Sequence, residues 1–361
     1  MKFCFLSSYA HLALDPAADR VSGGAELQVA LLARELVRRG HEAVIVGGDI
    51  GQEDGVDFDG VRTRNGGPFQ TGGLADTMRS VPRIRRVLHE ERPDYVFILG
   101  WTTWLYLVRY LRPRNCPVGF ICGLDTEVNG EFRRENPIRG AVFEAGVREA
   151  ELRFAMSDYQ AAQFARLGLS CGMYRNLILP RRSPRTAGKT LDFLWVARCQ
   201  PIKRPQLFLD LAEQLPGSRS RMICPREDVG LWETVADRAR ALANVEFIER
   251  VPYREIQGHY DEAKVFVNTS SFEGWPNSFI QAGLGGAALL SLDVNPDGLF
   301  QRFTPGVFAN GDFEAFVAAA ACLIDQPEAL RAAQAGSERF VAELHDNERN
   351  VDAFLAGLQL G

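Results

Sequence analysis

The sequence carries few of the features that mark a metal centre, a disulfide scaffold or a membrane span. Its seven cysteines (Cys4, Cys116, Cys122, Cys171, Cys199, Cys224, Cys322) are scattered, odd in number and never spaced Cys-x-x-Cys. That pattern excludes a zinc site and a disulfide framework and points to reduced thiols in a cytoplasmic protein. No stretch approaches the roughly 18 uninterrupted apolar residues of a membrane-spanning helix. The opening Met-Lys-Phe-Cys-Phe-Leu is too short for a signal peptide and runs straight into polar residues. Histidine is scarce, and His11, His41, His89, His259 and His345 stand in no catalytic context. His11 reads as loop, the others as surface or strand edge. No Gly-x-Gly-x-x-Gly follows the first apolar strand, which argues against a nicotinamide dinucleotide enzyme. A net charge of −5 argues against a dedicated nucleic-acid binder. There is no fixed-period repeat and no low-complexity tract.

What is present is a long alternation of apolar strands and amphipathic helices. At 361 residues the chain exceeds the size at which one core keeps growing, so two domains are expected. In the first half, strands are predicted at 3–6, 42–46, 93–99, 118–122 and 152–157. Helices are predicted at 25–39, where Ala25, Val29, Leu32 and Leu36 recur at helical spacing, and at 74–92, 101–111 and 158–167. Residues 47–75 read as a strand-and-loop excursion. Such alternation predicts a doubly wound parallel sheet. Residues 181–189, Arg-Arg-Ser-Pro-Arg-Thr-Ala-Gly-Lys, are polar and broken by Pro and Gly, and serve as the boundary. A second set begins with strand 191–197 and helix 205–215, followed by strands 221–224, 245–248 and 264–267. Three helices at 313–323, 327–335 and 337–358 are expected to close the chain without a further strand.

The second half is organised around residues 268–286. Strand 264–267 gives out into Asn-Thr-Ser-Ser, then a carboxylate at Glu273, a Gly274-Trp275 step and Pro276. Pro276 is expected at the first helical position, because its missing N–H would have no partner there. Phe279, Ile280 and Leu284 form an apolar stripe, and Gly285-Gly286 stops the helix before strand 287–294. A helix N-terminus in a βαβ unit is an anion site. Asn277 and Ser278 open the helix there, and Gln281 lies roughly 12 Å beyond Glu273 at about 1.5 Å rise per residue. Arg198 and Lys203, in Val-Ala-Arg-Cys-Gln-Pro-Ile-Lys, follow the first strand of this half. Cations at a helix start oppose its dipole, so their placement calls for an anion.

Glu-Gly-Trp-Pro-Asn-Ser-Phe-Ile-Gln resembles the E-x7-E segment of retaining, nucleotide-sugar-dependent glycosyltransferases of the GT-B fold (family 4, group 1 type), with Gln281 at the second Glu. Arg198 and Lys203 resemble the family's G-R-x-x-x-x-K segment, with Ala197 at its glycine. The resemblance implies two Rossmann-like doubly wound domains facing a cleft: an N-terminal acceptor domain over 1–182 and a C-terminal donor domain over 190–340. A final helix over 341–361 is expected to pack back toward the first domain. It implies transfer of a hexose-type sugar from a nucleoside-diphosphate donor to a hydroxyl of a glycan or lipid-linked acceptor, with retained anomeric configuration. The roles it assigns are catalytic for Arg198, Lys203 and Glu273, and donor-binding for Gly23, Gly24, Val251, Gly274, Trp275, Pro276, Asn277, Ser278 and Gln281. Asp125 stands after the strand where many members place a sugar-binding His. No metal or other cofactor is implied, since the cations do the work divalent ions do elsewhere. The arginines at 79–86 read as a solvated helix face, with docking to an anionic membrane as the alternative. Alternative functions within the fold are an inverting transferase, a nucleotide-sugar epimerase and a non-catalytic partner subunit.

Overall fold

The computed structural model describes residues 1–15, 23–69, 73–179, 188–253 and 255–360. The chain divides into two compact units, Met1–Leu179 with Asn347–Gly361, and Pro180–Asp346. Most of the polar stretch expected as the boundary, 181–187, lies outside the described residues.

Among the described residues the first unit is built on eight strands: β1 (Lys2–Leu6), β2 (Glu42–Gly47), β3 (Asp57–Phe58), β4 (Val61–Asn65), β5 (Tyr95–Leu99), β6 (Val118–Ile121), β7 (Leu152–Ala155) and β8 (Gly172–Met173). Their order is β3-β4-β2-β1-β5-β6-β7-β8. Every pairing is parallel except β3 with β4. Strands covered on both faces read as continuous apolar runs, and β1, β2, β5 and β6 do so. The excursion at 47–75 resolves into the β3–β4 hairpin, with β4 extending the sheet beside β2. Besides Ala10–Leu14, where His11 reads as loop, two helices depart from the sequence reading, Glu131–Glu135 and Pro137–Glu149. The second starts with proline in its first turn, a usable signal. The last helix, Asn347–Gly357, buries Phe354 among Phe3, Phe97, Phe154 and Tyr174.

The second unit holds β9 (Leu191–Val196), β10 (Ser220–Ile223), β11 (Val245–Ile248), β12 (Ala263–Asn268), β13 (Ala288–Ser291) and β14 (Gly306–Phe308), all parallel. The order β11-β10-β9-β12-β13-β14 is 3-2-1-4-5-6 when counted within the unit. This is the dinucleotide-fold order, whose ligands bind where the strand order reverses. The reversal lies between β9 and β12.

Strand β14 corrects the expectation of helices only after the opening motifs. It is three residues long and begins at Gly306 (φ +149°), where a Cβ would stand 1.8 Å from the Leu289 carbonyl oxygen. No periodicity could reveal so short a strand. The expected break near 336 is absent as well, because one helix runs Pro327–Leu344. A Cβ on Gly336 would come within 2.5 Å of the Phe303 and Thr304 carbonyl oxygens, so this glycine admits close packing instead of ending the helix. Helices Val229–Ala241 and Ile256–Glu262 were also missed. The first is capped by Asp228, whose carboxylate accepts from the Leu231 N–H at 3.0 Å.

Candidate active site

The two loops at the strand-order reversal are tied together by their own polar groups. After β9 the chain makes a tight turn, Pro201–Lys203, and passes through Arg204 into the helix Pro205–Gln214. After β12, Thr269 accepts a hydrogen bond from the buried Trp195 indole at 2.9 Å and donates to the Lys203 carbonyl at 2.7 Å. The Ser271 N–H donates to the Ile202 carbonyl at 2.9 Å. This lacing places Lys203 Nζ 2.6 Å from Glu273 Oε1, with both side chains 17% exposed. Ser270 Oγ donates to the same carboxylate oxygen at 2.7 Å. Two of the three residues expected to be catalytic thus meet.

Arg198 stands apart. Its guanidinium pairs with Glu227 at 3.0 Å and is 45% exposed, and Gln200 bonds the same carboxylate. Pro276 is not the first helical residue but the N-cap of the helix Asn277–Gly285, one position earlier than expected. Pro276 has no side-chain cap to give that helix, and the Phe279 N–H turns back to the Pro276 carbonyl at 3.1 Å, so what the first turn brings to the loop carrying Glu273 is the positive end of the dipole. Asn277 and Ser278 are half-buried in this turn, beside Gly274. Trp275 is buried: its indole N–H donates to Asp297 at 3.2 Å and its ring meets His345 edge-on at 4.7 Å. It packs inside the second unit, where its ring also meets that of Phe340 at 6.2 Å. Gln281 is half-buried one turn further on. Its carbonyl accepts from Gln257 at 3.1 Å, and no described residue bonds its side-chain amide. Val251 is half-buried in the loop after β11.

In the first unit, Gly23 is the N-cap of the helix Gly24–Arg38, with the Glu26 carboxylate folded over it. Asp125 opens a short turn after β6 and accepts from the Gln160 amide at 3.0 Å. Two residues on lies Glu127, which sequence reasoning did not single out. It is 6% exposed, and its two oxygens accept from the Trp101 N–H at 2.8 Å and the Gly123 N–H at 2.7 Å. Burial pushes its carboxyl up to about 7, against the pull of these backbone donors. Glu127 therefore joins the chain ends of β5 and β6. Two histidines also depart from expectation. His11 lies in the helix Ala10–Leu14 and is buried, and His345 is 1% exposed against Trp275. Of the arginines at 79–86, Arg79 pairs with Asp76, Arg83 with Asp49 and Arg86 with Glu90, as a solvated helix face does.

Residues 23–175 match the model of a glycosyl transferase 4-like domain, and residues 190–326 match that of the glycosyl transferases group 1. The chain is a glycosyltransferase of the GT-B fold. No curated protein sequence matches this glycosyltransferase. Solved structures match it over nearly its whole length. Sucrose-phosphate synthase (tll1590) from Thermosynechococcus elongatus is 16% identical, with a TM-score of 0.78 over 99% of this chain and 98% of that one. Trehalose-6-phosphate synthase OtsA is 12% identical, with a TM-score of 0.74 over 99% of both chains. Anabaena Alr3699/HepE, solved in complex with UDP-glucose, is 14% identical, with a TM-score of 0.73 over 99% of both. Identity this low speaks to the fold alone. Among the described residues of the glycosyltransferase, no helix is long and apolar enough to cross a membrane, and no three His, Cys, Asp or Glu are grouped to hold a metal ion.

Proposed function

We propose that this glycosyltransferase moves a hexose-type sugar from a nucleoside-diphosphate donor to a hydroxyl of a glycan or lipid-linked acceptor, retaining the anomeric configuration. The observation that carries the reading is the Lys203–Glu273 pair at the strand-order reversal, just before the N-terminus of the helix Asn277–Gly285. A diphosphate needs a cation and a helix N-terminus, and a sugar needs a fixed carboxylate for its hydroxyls; the loops at the strand-order reversal carry both. The likeness to Alr3699/HepE in complex with UDP-glucose agrees with such a donor.

The chemistry asked of the protein is mainly positioning and charge stabilisation. The bond between the anomeric carbon and the phosphate oxygen breaks, its electron pair leaving with the diphosphate. The acceptor oxygen attacks from the same face and its proton passes to the departing phosphate oxygen. Lys203, the first turn of Asn277–Gly285 and Arg198 meet the growing negative charge, without calling for a metal. Glu273 is held by Lys203 and Ser270 and orients the sugar; it is not the nucleophile.

Gln281 supplies the test of the donor site. In this reading its amide donates to one ribose hydroxyl and accepts from the other. Gln281→Leu should weaken nucleoside-diphosphate binding by about 1–3 kcal/mol, the cost of leaving buried polar atoms unpaired. Gln281→Glu should hold or slightly improve affinity, because one bond becomes charge-assisted. Calorimetry with UDP, GDP and ADP on wild type and both variants measures this. A Leu variant that binds like wild type removes Gln281 from the donor site. Product anomer analysis by NMR tests retention.

A further inference from the structure

We propose that Arg204 is a positioning residue for this reaction, whose side chain holds the Lys203–Glu273 pair in register across three loops. The proposal rests on the functional reading above for its assay, but the geometry is independent of it.

Arg204 follows Lys203 directly and has left-handed backbone angles, φ 47° and ψ 55°. Side chains other than those of Gly, Asn and Asp seldom occupy that region. Glycine would serve the turn with less strain, so the turn alone does not call for arginine. The guanidinium does what glycine could not. Its Nε donates to the Thr269 carbonyl at 2.6 Å and its Nη2 to the Ser270 carbonyl at 3.1 Å. Nη2 also pairs with Asp293, which follows β13. The loops after β9, β12 and β13 are thereby joined at one group.

The connections form a closed circuit. Ser270, whose carbonyl Arg204 holds, donates its hydroxyl to Glu273. Thr269, whose carbonyl Arg204 also holds, donates its hydroxyl to the Lys203 carbonyl. Lys203 closes the loop on Glu273. A planar fork with several fixed N–H directions can satisfy two carbonyls and a carboxylate together, and a lysine ammonium on a flexible stem does not reproduce it. Removing the fork releases the segment that carries Glu273 and the turn that carries Lys203 at the same time. Reactions driven by positioning lose up to a hundredfold for about 1 Å of misplacement.

The test uses the full chain and release of nucleoside diphosphate from UDP-glucose, UDP-N-acetylglucosamine or GDP-mannose, whichever the wild type turns over. Arg204→Gly relieves the backbone while deleting the fork. It should lower kcat by ten- to a hundredfold and change donor KM by less than about threefold. Guanidinium chloride at tens of millimolar should restore part of the lost rate, whereas ethylammonium should not. Arg204→Lys should remain as slow as the Gly variant. Asp293→Asn should cost severalfold in kcat by itself and nothing further in the Arg204→Gly background. Wild-type kcat in Arg204→Gly, or a loss that guanidinium leaves untouched, overturns the proposal. If Arg204→Gly does not fold, unchanged kcat in Asp293→Asn overturns it. Lys203→Ala separates the two readings. An active Lys203→Ala sinks the assignment of the site, while an inactive one beside a fully active Arg204→Gly sinks only the role of Arg204.

Discussion

Replacing Lys203 with alanine should slow turnover by two to three orders of magnitude while weakening nucleoside-diphosphate binding far less. A full charge about 4 Å from a phosphate interacts at about 4 kcal/mol when the effective dielectric is near 20, and about 1.4 kcal/mol is a tenfold change in rate. The Lys203 side chain is only 17% exposed, so solvent screens it incompletely. Negative charge on the leaving diphosphate grows as the glycosidic bond breaks, so the interaction strengthens on the way to the transition state and acts on kcat. Arg198→Ala should cost less, about tenfold, because its guanidinium is 45% exposed and already engaged with Glu227. Steady-state kinetics beside calorimetry separates the two quantities. Small, equal losses in kcat and affinity would remove Lys203 from the chemistry.

Glu127 should make the stability of the protein fall as pH rises from about 4.5 to about 7. Its folded carboxyl is raised from an ordinary 4.5 to about 7, because burial strips away the water that would solvate the carboxylate. Between those values the folded chain keeps a proton that the unfolded chain has already lost. The contribution is fully present below about 4.5, is lost progressively toward 7 and is level above it. At 1.36 kcal/mol per pH unit the difference is on the order of 3 kcal/mol. The titratable groups nearest it are the Cys122 thiol, held neutral because burial raises it well above its ordinary value, and Asp125 in the same turn. Urea unfolding of wild type and Glu127→Gln at pH 5, 6 and 7.5 isolates the effect, since all other groups are shared. The wild-type curve should decline relative to the variant across this range. Parallel curves would show that Glu127 titrates normally.

Much of this was legible in the chain itself, because the signals concerned are short-range. Continuous apolar runs placed β1, β2, β5, β6, β9 and β12 to within one or two residues, since a strand buried on both faces needs no polar alternation. Glycine at 285 and 286 marked the end of the site helix, where Gly286 takes the left-handed angle (φ 65°). The residue types around 198–203 and 273–281 raised the expectation of an anion and a sugar held by loops that follow strands, and the structure places both segments after strands β9 and β12. The same local rules failed where a residue answers to something distant. Gly336 resembles a helix stop, yet it faces the carbonyls of Phe303 and Thr304, and only the packed structure distinguishes the two. Strand β14 exists because β13 offers it an edge, not because three residues prefer extended backbone.

The site divides in the same way. Sequence by itself determined that Lys203 and Glu273 belong to loops after strands, and that a helix begins just beyond Glu273. Only the tertiary structure decided that these two meet at 2.6 Å while Arg198 turns to Glu227. It alone joined Arg204 to Asp293, and it alone made Glu127 a carboxyl that titrates near neutrality. Capping, turn chemistry and apolar periodicity act within a few residues, so a chain displays them. Charge pairing and desolvation sum over whichever groups folding brings near, and those neighbours come from segments far apart in the sequence.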